Sequence, residues 1–298
     1  MKKRWTIGTR GSALALRQTH IVIQELQPHY PECEFVIKTI RTTGDTVWDR
    51  PLHLVGGKGL FVKEIEDKLL EGEIDMAVHS VKDLPADLAG NLLIGAVLKR
   101  EDPRDAFLSL SCKSLRAAEN GSRIGTSSLR RTAQLLRQNN TLEIVPLRGN
   151  IETRIAKLRT EGLDGIILAC AGIKRMGLEE HIREILPIDT MVPSCGQGAI
   201  GIEIADSEEA RELAASINDE QSHREISIER SLLAKIGGGC HLPLGIHASI
   251  DKDNLTLHIS MGEETGRELF IHESHSGSAN NADLLIDEVY SKLKQSLN

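Results

Sequence analysis

Two hydrophobic periods alternate along the first two-thirds of the chain. "WTIGT" (5–9) has the pattern of a strand, and "SALALRQTHIVIQELQ" (12–27) that of a helix with Ser12 at its N-cap. "EFVIKTI" (34–40) is a second strand, rich in β-branched residues. "LFVKEIEDKLLEG" (60–72) sets Val62, Ile65 and Leu69 on one helical face and stops at Gly72. "IDMAVHS" (74–80) and "LLIGAVL" (92–98) are further strands. After a polar hinge, "KREDPRD" (99–105), the series restarts. "SRIGT" (122–126), "LEIVPL" (142–147) and "LDGIILA" (163–169) predict strands, and "SSLRRTAQLLRQ" (127–138) and "NIETRIAKLRTEG" (150–162) predict helices. Alternation of this kind predicts α/β architecture with a largely parallel sheet. "VPSCGQGAIGIEIA" (192–205) turns strand-like after its glycines, as if returning the chain to the first series.

The last third reads differently. A helix over 222–238 precedes three short strands, "LGIHASI", "NLTLHIS" and "RELFIHES", and a closing helix over about 281–297. That predicts a small antiparallel α+β domain. Residues 41–59 carry Gly44, Pro51, Gly56, Gly57 and Gly59 without a clear period, and read as a long mobile loop.

Composition narrows the function classes. Hydrophobic residues are 40% and charged residues 27%, as in a soluble globular protein, and no apolar run is long enough for a membrane span. The start shows no apolar signal segment before a cleavage site and is expected to be mature protein. Five scattered cysteines without a C-x-x-C pair are expected to be reduced thiols of a cytoplasmic protein. Net charge is −7, yet residues 121–175 hold ten Lys/Arg against four Asp/Glu. A basic island in an acidic chain predicts an anionic ligand. That segment has no Phe, Tyr or Trp, which disfavours single-stranded nucleic acid.

The cations recur at one kind of place. Arg10 with Ser12, Arg130 and Arg131 after two serines, Arg148 with Arg154, and Lys174 with Arg175 each fall just past a predicted strand. In open α/β sheets that edge binds ligands, and helix N-termini there favour anions. A ligand with several carboxylates fits the set. In "HSVKDLP" (79–85), His79, Lys82 and Asp83 crowd another strand end. A carboxylate among cations there suits the stabilising of a positive intermediate or the moving of a proton; an ordinary Asp–Lys surface pair is the competing explanation. "LVGGKGLF" (54–61) lacks the ending of a phosphate loop. Last, "AKIGGGCHLPLG" (234–245) sets Cys240 behind three glycines, which allow a bulky group close to the backbone. From the residues alone, a buried or inert cysteine is the more common case.

The motifs "TRGSALAL", "GGKGLFVKEIE", "DMAVHSVKDLP", "REDPRDAF", "GTSSLRR", "LRGNIETR", "GIKRMGL", "GQGAIGIE" and "GGGCHLPLG" occur in order from about residue 5 to 245. Together they resemble the porphobilinogen deaminase (hydroxymethylbilane synthase) family. The resemblance implies a transferase that joins four porphobilinogens head to tail with loss of ammonia. Growth starts on a dipyrromethane cofactor bound through a thioether to the cysteine matching Cys240, and water releases 1-hydroxymethylbilane. It implies Asp83 as the catalytic aspartate. Cofactor contacts would be Lys82, Arg130, Arg131, Thr126, Ser127, Ser128, Gly172 and Asp45. Substrate contacts would be Arg10, Ser12, Gln18, Arg148, Arg154 and Arg175, with Phe61, Gln197 and Lys58 lining the cleft. The loop 41–59 would be a lid.

The fold implied is α/β in three domains. Two resemble the halves of a periplasmic binding protein, at 1–98 with 197–217 and at 104–192. The third, 220–298, is a small α+β domain with an antiparallel three-stranded sheet that carries the cysteine. A monomer is expected, with no nucleic-acid or membrane partner and no metal. Two positions depart from the family pattern: Leu54, where many relatives have a lysine, and Cys195, expected near the cleft and sensitive to oxidation. The rival reading is an organic-anion binding protein of the same fold without turnover.

Overall fold

A computed structural model describes residues 2–46, 62–237, 243–263 and 265–296. By compactness the chain divides into two units, 1–101 with 199–227, and 102–198 with 228–298. The return of the chain read from 192–205 is observed: residues 199–227 belong to the first unit.

In the first unit, β1 (Arg4–Arg10) leads into α1 (Ala13–Leu26), and β2 (Glu34–Ile40) ends before the short α2 (Thr43–Thr46). The helix α3 (Lys63–Leu70) precedes β3 (Met76–Ser80) and β4 (Leu92–Val97). The sheet order is β2-β1-β3-β10-β4, where β10 is Ile200–Ala205. β1, β2 and β3 run parallel, and β10 is antiparallel to both β3 and β4. Alternation along β1 and β3 puts Trp5, Ile7, Met76 and Val78 in a core with Val22 and Leu26 of α1. On the other side Ala77 packs with Ile65 and Leu69 of α3.

The second unit repeats the design. β5 (Asp105–Leu108), β6 (Arg123–Gly125), β7 (Glu143–Val145), β8 (Gly165–Ala169) and β9 (Ile182–Ile185) form a sheet in the order β7-β6-β8-β5-β9. Here too one strand, β5, opposes its neighbours. The helices α4 (Leu129–Gln138), α5 (Ile151–Thr160) and α6 (Cys170–Arg175) connect the strands. The sequence pattern misses β5 and β9. Both have four residues, and β5 starts on the last residue of the segment read as a polar hinge.

After β10 come α7 (Glu208–Ala215) and α8 (Glu220–Ile236). The strands β11 (Leu244–Asp251), β12 (Asn254–Gly262) and β13 (Leu269–Ser278) then form an antiparallel meander, closed by α9 (Ala282–Ser296). Its core joins Ile246, Leu257 and Ile259 to Leu232 of α8 and Ile286 and Val289 of α9. It is separate from the clusters of the second mixed sheet, which form around Ile166 and around Phe107. The α/β class and the three-stranded antiparallel sheet therefore stand as read. Cys240, Lys58, Phe61 and Leu54 lie outside the described residues, as does the side chain of Asp45 on α2.

Candidate active site

In the first unit the site grows from the ends of β1 and β3. Arg10 is the last residue of β1. Ser12 follows and caps α1, its Oγ accepting from the Ala15 amide at 3.3 Å. One turn further, buried Gln18 exchanges hydrogen bonds with Ser80, the last residue of β3. A 3-10 turn, Val81–Asp83, then presents Lys82 and Asp83 before Pro85. The Asp83 carboxylate lies 3.9 Å from the Arg10 guanidinium, with 37% and 24% of the two side chains exposed. This is a loose, solvent-accessible pair. His79 does not join it. Alternation along β3 turns its ring inward, where Nε2 lies 2.9 Å from Glu203 Oε2, both buried. Glu66 is the third buried group there. Burial first, and the nearby Glu203 second, push its carboxyl above the ordinary carboxylate value.

In the second unit the site grows from the ends of β6, β7 and β8. Thr126 follows β6, and its Oγ1 accepts from the Ser128 amide. Ser127 Oγ donates to the Leu147 carbonyl and accepts from the Leu147 amide, tying the two strand ends together. Ser128 caps α4 by accepting from the Arg131 amide. Arg148 has no hydrogen-bond or ion-pair partner among the described residues. Gly149 after it sits at φ +117°, and a Cβ there would meet Thr153 at 2.7 Å, so the tight turn into α5 calls for glycine. Arg154 folds back, its Nε donating to the Gly149 carbonyl at 2.7 Å. Gly172 is buried in α6. From the same helix Arg175 donates to the Gly198 carbonyl at 2.6 Å, beside Gln197.

Arg130 and Arg131 are 5% and 7% exposed, buried around a residue that the sequence pattern leaves unmarked. Asp105, wholly buried at the start of β5, accepts from Arg131 Nε and Nη2 at 3.2 and 2.7 Å. Arg130 Nη1 lies 2.8 Å from its other oxygen. Gln197 Nε2 donates to Asp105 at 2.9 Å and to the Pro103 carbonyl at 2.8 Å. Burial alone would push the Asp105 carboxyl up; the charges of Arg130 and Arg131 and the Arg131 hydrogen bonds outweigh it and hold it well below the carboxylate range. Burial lowers Arg130, against the pull of Asp105. A second missed group is Asp102. Arg104 grips it through Nε and Nη2, and Lys174 approaches to 3.6 Å. The Arg104 hydrogen bond, against burial, pulls its carboxyl down to about 2. The signal for Asp105 was the end of the motif "REDPRDAF", where its carboxylate borders an apolar run; Asp102 has only charged residues and a proline around it.

Each unit's strand edge is therefore cationic and hydroxyl-bearing, which suits a ligand that carries several carboxylates. The first unit also offers a reachable carboxylate, Asp83, which suits a developing positive charge. Dipyrromethane, with acetate and propionate arms and pyrrole N–H groups, has that chemistry. Arg130 uses Nη1 on Val192 and Asp105, while Arg148 is uncommitted among the described residues. The residues present thus fit the group.

Comparison with known proteins gives the same direction. The chain is 45% identical to a porphobilinogen deaminase of Syntrophus aciditrophicus over 93% of its own length and 91% of the relative's. It is 43% identical to one of a Roseiflexus species over 97% of both. Among solved structures, the methionine binding protein MetQ matches with a TM-score of 0.47 at 12% identity, covering 76% of this chain and 95% of that one. A family model described as the porphobilinogen deaminase dipyrromethane cofactor binding domain matches residues 5–212, and one described as the C-terminal domain matches 223–295. With both models matched in sequence order and relatives alike over nearly their whole length, the chain belongs to the porphobilinogen deaminase family.

Proposed function

We propose that this protein, a transferase of tetrapyrrole biosynthesis, performs its reaction through Asp83 on a dipyrromethane primer held by a thioether to Cys240. Four porphobilinogens are joined head to tail with loss of ammonia, and hydrolysis releases 1-hydroxymethylbilane. The observation that carries the assignment of roles is the half-exposed Arg10–Asp83 pair at the ends of β1 and β3. When bound, the dipyrromethane supplies a nucleophilic pyrrole carbon.

The chain's own residues do the rest. Arg10 orients the Asp83 carboxylate. Asp83 accepts from a substrate pyrrole N–H and offsets the positive charge that develops as ammonia leaves. Arg10, Ser12, Arg148, Arg154 and Arg175 take the substrate's acetate and propionate groups, as guanidinium forks suit carboxylates. Gln18 and Gln197 shape the wall, as Phe61 and Lys58 do by family resemblance. Lys82, Thr126, Ser127, Ser128, Gly172, Arg130 and, from behind it, Arg131 hold the primer, and by family resemblance Asp45 does too. The separate cores of the second mixed sheet and the meander support a three-domain division at 1–98 with 197–217, 104–192 and 220–298.

A monomeric cytoplasmic enzyme without nucleic-acid or membrane partner is part of the same reading. No described helix is long and apolar enough to cross a membrane. The alternative, an anion binder without turnover, is not favoured, because a reachable carboxylate among cations has no use in it. The test follows ammonia and tetrapyrrole together from porphobilinogen. We expect four ammonia per tetrapyrrole from the wild type and almost none from Asp83→Asn. Binding of porphobilinogen without ammonia release contradicts the reading.

A further inference from the structure

The two mixed sheets share one strand order, so their positions can be matched. The strand that opposes its neighbours is β10 in one and β5 in the other. In the first sheet the leading residue of β10, Ile200, pairs with the last residue of β3, Ser80. In the second the leading residue of β5, Asp105, pairs with the last residue of β8, Ala169. The matched places hold an isoleucine, 2% exposed, and an aspartate, 0% exposed. The topology therefore asks only for burial there. A carboxylate in that place needs another reason, since a buried ion pair is a poor source of stability compared with an apolar residue.

The reason lies in what Asp105 holds. It takes two hydrogen bonds from Arg131, whose remaining terminal nitrogen donates to the Ile167 carbonyl at 3.0 Å. Arg131 is thereby built into the sheet. Arg130 touches the same carboxylate through Nη1 alone, with that nitrogen also on the Val192 carbonyl at 2.6 Å. Its Nε and Nη2 have no hydrogen-bond partner among the described residues. Gln197 is held by the same Asp105 oxygen as Arg131, and the positive φ of Gly196 and Gly198 on either side lets its chain turn inward. Two guanidinium cations and one carboxylate leave a single net positive charge.

We infer that Asp105 is a positioning residue for the primer: it fixes Arg131 and Gln197 as framework and aims Arg130 at one carboxylate of the dipyrromethane. The inference rests on the proposed function and divides the labour between two arginines that the motif "GTSSLRR" presents as equals. Arg130 is the one that meets the ligand; Arg131 and Gln197 act through Asp105.

The test uses the full chain. Wild type, Asp105→Asn and the double variant Asp105→Asn/Arg131→Gln are titrated with porphobilinogen. Primer loading is read by intact mass and folding by thermal melts. The double variant keeps the single net charge but removes the framework. Both variants should need about tenfold to a hundredfold more porphobilinogen for half-loading, the worth of one misplaced charge-assisted hydrogen bond. The double variant should melt close to wild type. A folded variant that loads at the wild-type concentration overturns the inference and leaves Asp105 a mere counter-charge. If neither variant folds, guanidinium 15N spectra of the wild type decide. The Arg130 Nε resonance should shift on loading while that of Arg131 stays; an unmoved Arg130 overturns the inference. A wild type that gains no mass overturns the primer reading itself, and this inference with it, and is seen before any variant is compared.

Discussion

The two mixed sheets are built alike and treat charge in opposite ways. In the first, the strand-end carboxylate is Asp83, 37% exposed on its side chain and 3.9 Å from one arginine. In the second, it is Asp105, fully buried and in contact with two. One topology thus provides two kinds of anion–cation site at the same edge. The loose, wet pair can exchange its partner for an incoming charged group. The dry cluster cannot, because breaking it strands a buried charge. It serves by holding other groups still.

The largest effect separates the two carboxylates by stability. Asp105→Asn should cost about 3–5 kcal/mol in urea unfolding, since it leaves buried guanidinium charge uncompensated. Asp83→Asn should leave stability within about 0.5 kcal/mol, as for an exposed site. Its effect should fall on turnover instead, about a hundredfold to a thousandfold in kcat, the usual worth of a charge-stabilising group. If both substitutions cost stability alike, the contrast between the sheets fails.

Acid sharpens the same contrast. Asp105 and Asp102 are held below the ordinary carboxylate range, so the unfolded chain binds protons first as pH falls. Their stabilisation should be complete above the unfolded aspartate value, about 3.9. The Asp102 share should be lost between that value and about 2. The stability difference between wild type and Asp102→Asn, measured from pH 7 downward, should hold steady until that window and fall within it. A fall that begins well above it contradicts the ion-pair account.

Much of this was legible in the sequence, for physical reasons. Ser12 and Ser128 are caps because a hydroxyl before an apolar period has little else to do, and both accept the expected amide. The clusters at strand ends followed from period changes alone. Direction was not legible: β10 has the hydrophobic pattern of any buried strand, β5 is too short to show one, and only pairing reveals that they run against their neighbours. His79 was misplaced because a polar residue at a strand end looks exposed until its partner, Glu203, arrives from 124 positions away. Asp105 was passed over because a buried aspartate and a solvated one look alike in "REDPRD". Its partners lie 26 and 92 residues off.

Two smaller effects extend the comparison. Ser12→Ala and Ser128→Ala remove matching caps and should each cost about 1 kcal/mol by denaturant unfolding. Unequal costs would show that one helix end is held by more than its cap. Smaller still is the effect at Cys170. Burial first, and the charge of Asp102 second, push its thiol up to about 11. A raised thiol stabilises the fold fully below the unfolded cysteine value, about 8.5, and that contribution fades as pH climbs toward the folded one. Iodoacetamide at pH 8 should therefore spare Cys170 in the folded chain and modify it in urea. Modification at equal rates would contradict its burial.

The central claim is that the chain grows its product on a primer tied to Cys240. The direct measurement is the intact mass of the denatured protein after incubation with porphobilinogen, beside Cys240→Ala. The account predicts a gain of one dipyrromethane that survives denaturation in the wild type and is absent from the variant. A wild type at its bare sequence mass, or an equal gain in the variant, would contradict it.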